Sequence, residues 1–247
     1  MHRAVRATVI GTAALLAVGT LAAADAARGA ARGCAALSGR ALTRLPTRGV
    51  VSGDIDGDGR TDRVAMAVRR DQPVTCRFVL WVETRGRVTS TVVRQPYMDD
   101  TGHTPALVEL ARVNHGRAAQ AIVDFGVGAS VDAYGVYAVV AARLVHMRVQ
   151  GREGEVADTF PSGGSNAGGL GSICAGGAGT GEVLVASIPG VVPTAAPRVG
   201  SFYIQRGTTY FLQSADHRLT SGERAEWAKR SGLRAPIFDD CAVAVVT

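Results

Sequence analysis

Short strand-like segments recur along this sequence and restrict the folds that it can adopt. Each has five to eight residues, many of them valine, isoleucine or tyrosine, and glycine or proline separates many of them. Val64, Met66 and Val68 alternate with smaller alanines, which is the two-residue period of a β-strand. Such spacing predicts an all-β domain. The segments are residues 63–68, 77–83, 88–95, 120–127, 134–140, 143–149, 182–187, 201–205, 208–213 and 241–246.

One helix is predicted near the C-terminal end, in the sequence TSGERAEWAKRSG. Thr220 precedes Glu223 by three residues, which is the spacing of a capping box at a helix N-terminus. Gly232 would end this helix, and Trp227 would face the sheet.

Three glycine-led segments resemble one another: GRTDRVAMAV at Gly59, GRAAQAIVDF at Gly116 and GTGEVLVAS at Gly179. Each precedes a further strand-like segment and a hairpin signal, at Gly86, Arg143 and Gly207 respectively. A unit would therefore hold four short strands in about 60 residues, the size of a propeller blade. The predicted fold is therefore all-β, with incomplete propeller-like blades of short antiparallel strands and one C-terminal helix; an irregular β-sandwich is the alternative. The units would span residues 50–95, 105–150 and 172–215.

The N-terminus has the pattern of a secretory signal peptide. Arg3 and Arg6 give a short basic start, residues 7–24 are uncharged and largely apolar, and an A-x-A cleavage site ends at Ala26. An uncleaved anchor is the alternative, although the apolar run is short for a membrane span and rich in Ala, Gly and Thr. We therefore predict a signal peptide over residues 1–26.

The remaining residues, 27–247, are enough for a single secreted β-domain with its own core. No further apolar stretch is long enough to span a bilayer, so no membrane span is expected after signal removal. The chain has a formal net charge of +6, but no basic cluster is interleaved with aromatic residues. Nucleic-acid binding is therefore not expected.

The four cysteines are Cys34, Cys76, Cys174 and Cys241. An even number in an exported chain favours two disulfides, with free thiols as the alternative. Three pairings are open, of which Cys34–Cys76 with Cys174–Cys241 is favoured because it joins each terminal segment to a neighbouring strand. No two cysteines have the spacing of a zinc knuckle.

An acidic segment, GDIDGDGRTD, begins at Gly53. Counted from Asp54, carboxylates fall at positions 1, 3, 5 and 9, and Gly59 falls at position 6, where the chain must turn sharply. Alternating oxygen ligands on a tight loop suit Ca²⁺, which takes six to eight oxygens, better than Mg²⁺. A solvated Asp/Gly-rich turn without a metal is the alternative.

The segment differs from an EF-hand, because position 12 is Ala65 instead of glutamate and strands flank the loop. GDIDGDGRTDRVAM resembles the calcium loop of FG-GAP (VCBS) repeats, the β-propeller blades also seen in integrin α chains. The resemblance covers one loop and one strand, and it implies an extracellular, calcium-stabilised β-blade. The ligands that it implies are Asp54, Asp56, Asp58, the Arg60 carbonyl and Asp62.

The other two units depart from this pattern. The second offers Asn114 and His115 where the first has Asp56 and Asp58, and the third keeps only Glu182. They would be blades without calcium, and three units are too few for an ordinary closed propeller.

Residues 162–181 are rich in glycine, without a P-loop lysine or a G-x-G-x-x-G spacing after a strand. A loop attached at Cys174 is the expected structure.

No catalytic set is recognisable, since neither H-E-x-x-H nor G-x-S-x-G occurs. The predicted function is that of a secreted calcium-binding β-repeat module, with a structural Ca²⁺ ion, that binds an unknown protein or glycan at the cell envelope. A secreted hydrolase with a structural calcium ion is the alternative.

Overall fold

The computed structural model describes Cys34 and residues 39–94, 104–126, 131–165, 168–189, 197–230, 237–238 and 240–246. The predicted signal peptide and Gly232 lie outside these residues. Strands make up 56% of the structure and helices 8%, which confirms the all-β prediction.

The described residues form three antiparallel meanders, each with four strands that follow one another in sequence and pair in that order. The first meander contains β1 (Thr47–Gly53), β2 (Asp62–Val68), β3 (Phe78–Thr84) and β4 (Arg87–Val92). The second contains β5 (Ala106–Ala111), β6 (Gln120–Asp124), β7 (Val131–Val140) and β8 (Arg143–His146). The third contains β12 (Gly168–Cys174), β13 (Glu182–Pro189), β14 (Val199–Arg206) and β15 (Thr209–Arg218).

The first meander is a sheet of its own, whereas the second and third belong to one twelve-stranded sheet. Strand β11 (Phe160–Ser165) joins them, because it pairs with both β7 and β12. At one end, β9 (Arg148–Gln150) pairs in parallel with β15, and β10 (Val156–Ala157) pairs with β9. At the other end, β16 (Ala242–Val245) pairs with β5.

The glycine-rich residues 162–181 are not the loop that the sequence predicts. Most of them belong to β11 and β12, and β12 pairs with β13 from Gly168↔Pro189 to Cys174↔Val183. Backbone hydrogen bonds define a strand, and glycine retains them while removing the side-chain alternation that would reveal it.

Within the described residues, three helices accompany the sheets: α1 (Gly39–Leu42), α2 (Val74–Arg77) and α3 (Ser221–Arg230). Helix α3 is the predicted helix, and its capping box is formed. The Thr220 amide donates to Glu223 Oε2 (2.6 Å), and the Glu223 amide donates to Thr220 Oγ1 (3.2 Å). Trp227 is fully buried in a cluster that includes Leu184 and Leu219.

The two faces of β2 enter different cores, as its alternating pattern predicts. Val64 and Met66 pack in the main core with residues of the second meander, among them Leu110 and Phe125. Their neighbours Ala65 and Ala67 lie in a cluster on the other face that is centred on Trp81. The main core therefore holds the first two meanders together.

Two disulfides, Cys34–Cys76 and Cys174–Cys241, confirm the favoured pairing. The first joins residue 34 to α2, and the second joins the end of β12 to the residue before β16. Two disulfides fit a non-cytoplasmic protein. Among the described residues, no helix has the length and apolar character needed to cross a membrane.

Candidate metal centre

The segment between the first two strands of each meander reaches one common region. We call residues 54–61, 112–119 and 175–181 the first, second and third connections. The Ala119 amide donates to the Asp54 carbonyl (2.8 Å), which joins the first connection to the second. The Gly116 amide donates to the Gly179 carbonyl (2.9 Å), which joins the second to the third. The acidic loop is therefore the outer member of a row of three.

The first connection is folded by its own carboxylates. Asp54 accepts hydrogen bonds from the amides of Gly57 (2.7 Å) and Gly59 (2.9 Å), while Asp56 accepts one from the Asp58 amide (3.1 Å). Gly57 and Gly59 have φ of +80° and +81°, a backbone conformation that glycine adopts at little cost. The loop thus winds around the side chains that would bind a metal.

The base of the loop is buried. Ile55 is fully inaccessible in the main core, and its amide donates to Asp62 Oδ2 (3.1 Å). Asp62, at the first position of β2, is only 4% exposed. These contacts fix both ends of the loop to the core.

Three of the predicted ligands converge. Asp54, Asp56 and Asp58 are half-buried, and each offers one carboxylate oxygen such that the three atoms lie within 4.8 Å of one another. Oxygen donors in such a cluster fit a hard cation such as Ca²⁺. Asp62 is not a member of this group but lies beneath the loop on the Ile55 amide, and the exposed Arg60 donates its amide to Asp58 Oδ1 (2.8 Å).

The carboxylates have different electrostatic surroundings. The Arg60 amide and then the Arg85 side chain, both hydrogen-bonded to Asp58, lower the pKa of that carboxyl. Burial raises the pKa of Asp62, and the nearby charges of Asp56 and Asp58 raise it further. A dication among these groups would offset their repulsion.

Arg85 contacts the acidic loop at Asp58, which the sequence did not predict. Its Nε and Nη2 atoms donate to Asp58 Oδ2 at 2.7 and 2.6 Å, from the turn between β3 and β4. The two residues are 27 positions apart, so neither spacing nor a local motif indicates the pair.

The second connection carries neutral groups where the first carries carboxylates. Asn114 is buried. Its backbone amide donates to Gln120 Oε1 (2.8 Å), and its side-chain Oδ1 accepts a hydrogen bond from the Tyr210 hydroxyl. The His115 amide donates to Gln205 Oε1 (2.7 Å), a residue of the third meander. Side chains from elsewhere in the fold hold this connection.

Two other clusters of polar or sulfur-containing side chains in the described structure, around Asp240 and His217, could in principle bind a metal or act in catalysis. Asp240 lies with Cys174 and Cys241, but both sulfurs are committed to their disulfide, so this is not a ligand set. His217 contacts the Glu223 carboxylate (3.1 Å) and stacks on Phe202. Within the described residues, no serine, threonine or cysteine side chain hydrogen-bonds to His217, as a nucleophile–base pair requires.

The chain matches no protein-family model, no curated protein and no solved structure with which it was compared.

Proposed function

We propose that the first connection binds one structural Ca²⁺ ion in a secreted β-repeat module that binds a protein or glycan at the cell envelope. The convergence of the Asp54, Asp56 and Asp58 carboxylates, within 4.8 Å of one another, is the observation that carries the calcium assignment. The Arg60 carbonyl and Asp62 would complete the ligand set.

The location of the loop supports a structural role for the ion. The loop joins β1 to β2, its Ile55 side chain is part of the main core, and its Asp54 carbonyl accepts a hydrogen bond from the second connection. An ion that holds these carboxylates together would stabilise the junction between the first two meanders. A dissociation constant as weak as about 10⁻⁴–10⁻³ M is enough for an extracellular site of this kind to be filled.

Thermal unfolding with calcium and with chelator tests the calcium assignment. For a site with a Kd of about 10⁻⁴ M, 10 mM Ca²⁺ would stabilise the native state by about 2.7 kcal/mol. This corresponds to a rise in Tm of about 5–10 °C for a domain of this size. Asp56→Asn should abolish the rise, while the exposed control Asp216→Asn should retain it. A wild-type Tm that is equal in calcium and chelator would refute the assignment.

Export is the second part of the proposal, and it is supported by the N-terminal pattern and the two disulfides. N-terminal sequencing of protein collected outside the cells should give a mature chain that begins near Ala27. Recovery of the intact chain from the cytoplasm, with its cysteines reduced, would contradict export.

A further inference from the structure

The Arg85 side chain already places a cation on one of the carboxylates of the proposed calcium loop. Arg85 and Gly86 form the two-residue turn between β3 and β4, where Thr84 pairs with Arg87. The guanidinium reaches Asp58 through two nitrogens, and its side chain is 61% exposed whereas that of Asp58 is 11% exposed. The contact joins the solvent side of the hairpin to the metal loop.

Both oxygens of Asp58 are engaged in this arrangement. Oδ1 accepts the Arg60 amide, and Oδ2 accepts the two Arg85 nitrogens. A metal ion that takes Asp58 as a ligand meets the positive charge of Arg85 at hydrogen-bond distance from that ligand. Because like charges repel and the two cations draw on the same carboxylate, binding of one weakens binding of the other.

The structure also provides space into which the guanidinium can move. Arg85 lines a surface depression of about 380 Å³, together with Glu83 and Asp62. Glu83 offers a carboxylate to a displaced guanidinium in the same depression. Movement of an exposed side chain into this space requires no repacking of the core.

We propose that Arg85 is a built-in competitor of the metal ion, which neutralises the ion-free loop and lowers its affinity for Ca²⁺. The inference rests on the calcium site proposed above. It assigns Arg85 a role in setting the calcium concentration at which the loop fills. A purely supporting role for Arg85 has the opposite consequence, because its removal would then disorder Asp58 and weaken calcium binding.

Isothermal titration of the mature protein with CaCl₂ at fixed ionic strength distinguishes the two roles. Arg85→Gln removes the charge but keeps an N–H donor, so Ca²⁺ should bind about fivefold more tightly than to the wild type, as expected for loss of an exposed ion pair and of its repulsion of the ion. Arg85→Lys retains the charge and should bind within about twofold of the wild type. Arg87→Gln, an exposed arginine two residues away, should leave the affinity unchanged.

The outcomes separate this inference from the calcium assignment. Binding to Arg85→Gln that is equal to or weaker than binding to a calcium-binding wild type overturns the competitor role and leaves the calcium site intact. Calcium binding to Arg85→Gln but not to the wild type supports the competition between Arg85 and the ion and overturns the calcium assignment for the wild-type loop. Absence of binding to both proteins at millimolar calcium overturns both proposals.

Discussion

The first and second connections occupy equivalent places in their meanders, yet they are held in different ways. The first folds around its own carboxylates, which accept amide hydrogen bonds within the loop. The second is held by neutral side chains from other strands, among them Tyr210 on Asn114. We therefore predict that a bound cation stabilises the first loop, which gathers negative charge, and that the second loop is stable without one.

The third connection is stabilised in another way, by a disulfide. It begins directly after Cys174, whose disulfide to Cys241 attaches it to the segment before β16. It also exchanges backbone hydrogen bonds with the second connection, at Gly116 and Arg112. A shared architecture therefore allows each connection to be stabilised by separate chemistry, and removal of each device should have a separate effect.

The largest expected effect is loss of the disulfide at the third connection. Replacing Cys174 and Cys241 with serine opens a covalent loop of 67 residues, which the chain-entropy account values at about 4 kcal/mol of unfolding free energy. Tm should fall by about 8–16 °C. Calcium binding at the first connection should persist in the folded double variant. An unchanged Tm would show that the disulfide does not hold this connection.

The next largest loss of stability should come from breaking the hydrogen bond between Asn114 and Tyr210 at the second connection. Asn114→Ala leaves the buried Tyr210 hydroxyl without its acceptor and should lower the unfolding free energy by about 2 kcal/mol. Adding Tyr210→Phe should cost less in this background than in the wild type, because the hydroxyl no longer has a partner to lose. Denaturant unfolding of the four proteins measures this coupling, and additive effects would mean that the two side chains are not coupled.

The second meander should also respond to acid. His146 stacks on Tyr137 with a centroid separation of 4.3 Å, and its Nε2 is buried with no hydrogen-bond partner among the described residues. Burial lowers the pKa of His146 to about 4, although the Asp158 charge and a hydrogen bond to the Asp158 backbone oppose this shift. The unfolded chain therefore takes up the proton first as pH falls, and stability is lost between about pH 6.5 and 4.

Between pH 7 and 5 this loss should reach about 2 kcal/mol, measured as the unfolding free energy in denaturant. His146→Phe retains an aromatic ring for stacking and should flatten the pH dependence in this range. A variant that keeps the wild-type slope would show that another group causes it.

The smallest expected effect is that of Asp62→Asn on the unfolding free energy, and its direction should depend on whether calcium is present. Burial raises the pKa of Asp62, so its ionised form is disfavoured in the ion-free native protein. Asp62→Asn removes that charge and should leave the unfolding free energy in chelator equal to that of the wild type or slightly higher. In saturating calcium the same variant should be less stable than the wild type. Equal effects in both conditions would exclude Asp62 from the ion's surroundings.

Local patterns predicted much of the fold because local chemistry determines those elements. The alternation around Met66 identified β2, and Thr220 with Glu223 identified the start of α3. Gly86 and Gly207 lie in hairpin turns where their sequence context placed them. The favoured cysteine pairing also proved correct.

The features that the sequence did not predict depend on contacts or residues that leave no local sequence pattern. Strand β12 was missed because three of its seven residues are glycine, so its side chains show no clear two-residue period. His146 lies between Val145 and Met147, where strand alternation favours an exposed position, yet its ring packs against those of Phe125 and Tyr137. Arg85 meets Asp58 only after β2 and β3 have paired and brought the hairpin turn beside the loop. The spacing of the acidic residues was readable from the sequence, but the contact of Asp58 with Arg85 was not.

Direct measurement of bound calcium tests the central claim that the first connection differs from the others by requiring an ion. Equilibrium dialysis of the mature protein against millimolar Ca²⁺ should find one ion per chain. Asp56→Asn should remove it, and Asp216→Asn should not. A wild type that binds no calcium, or an Asp56→Asn variant that binds as much as the wild type, would contradict the account.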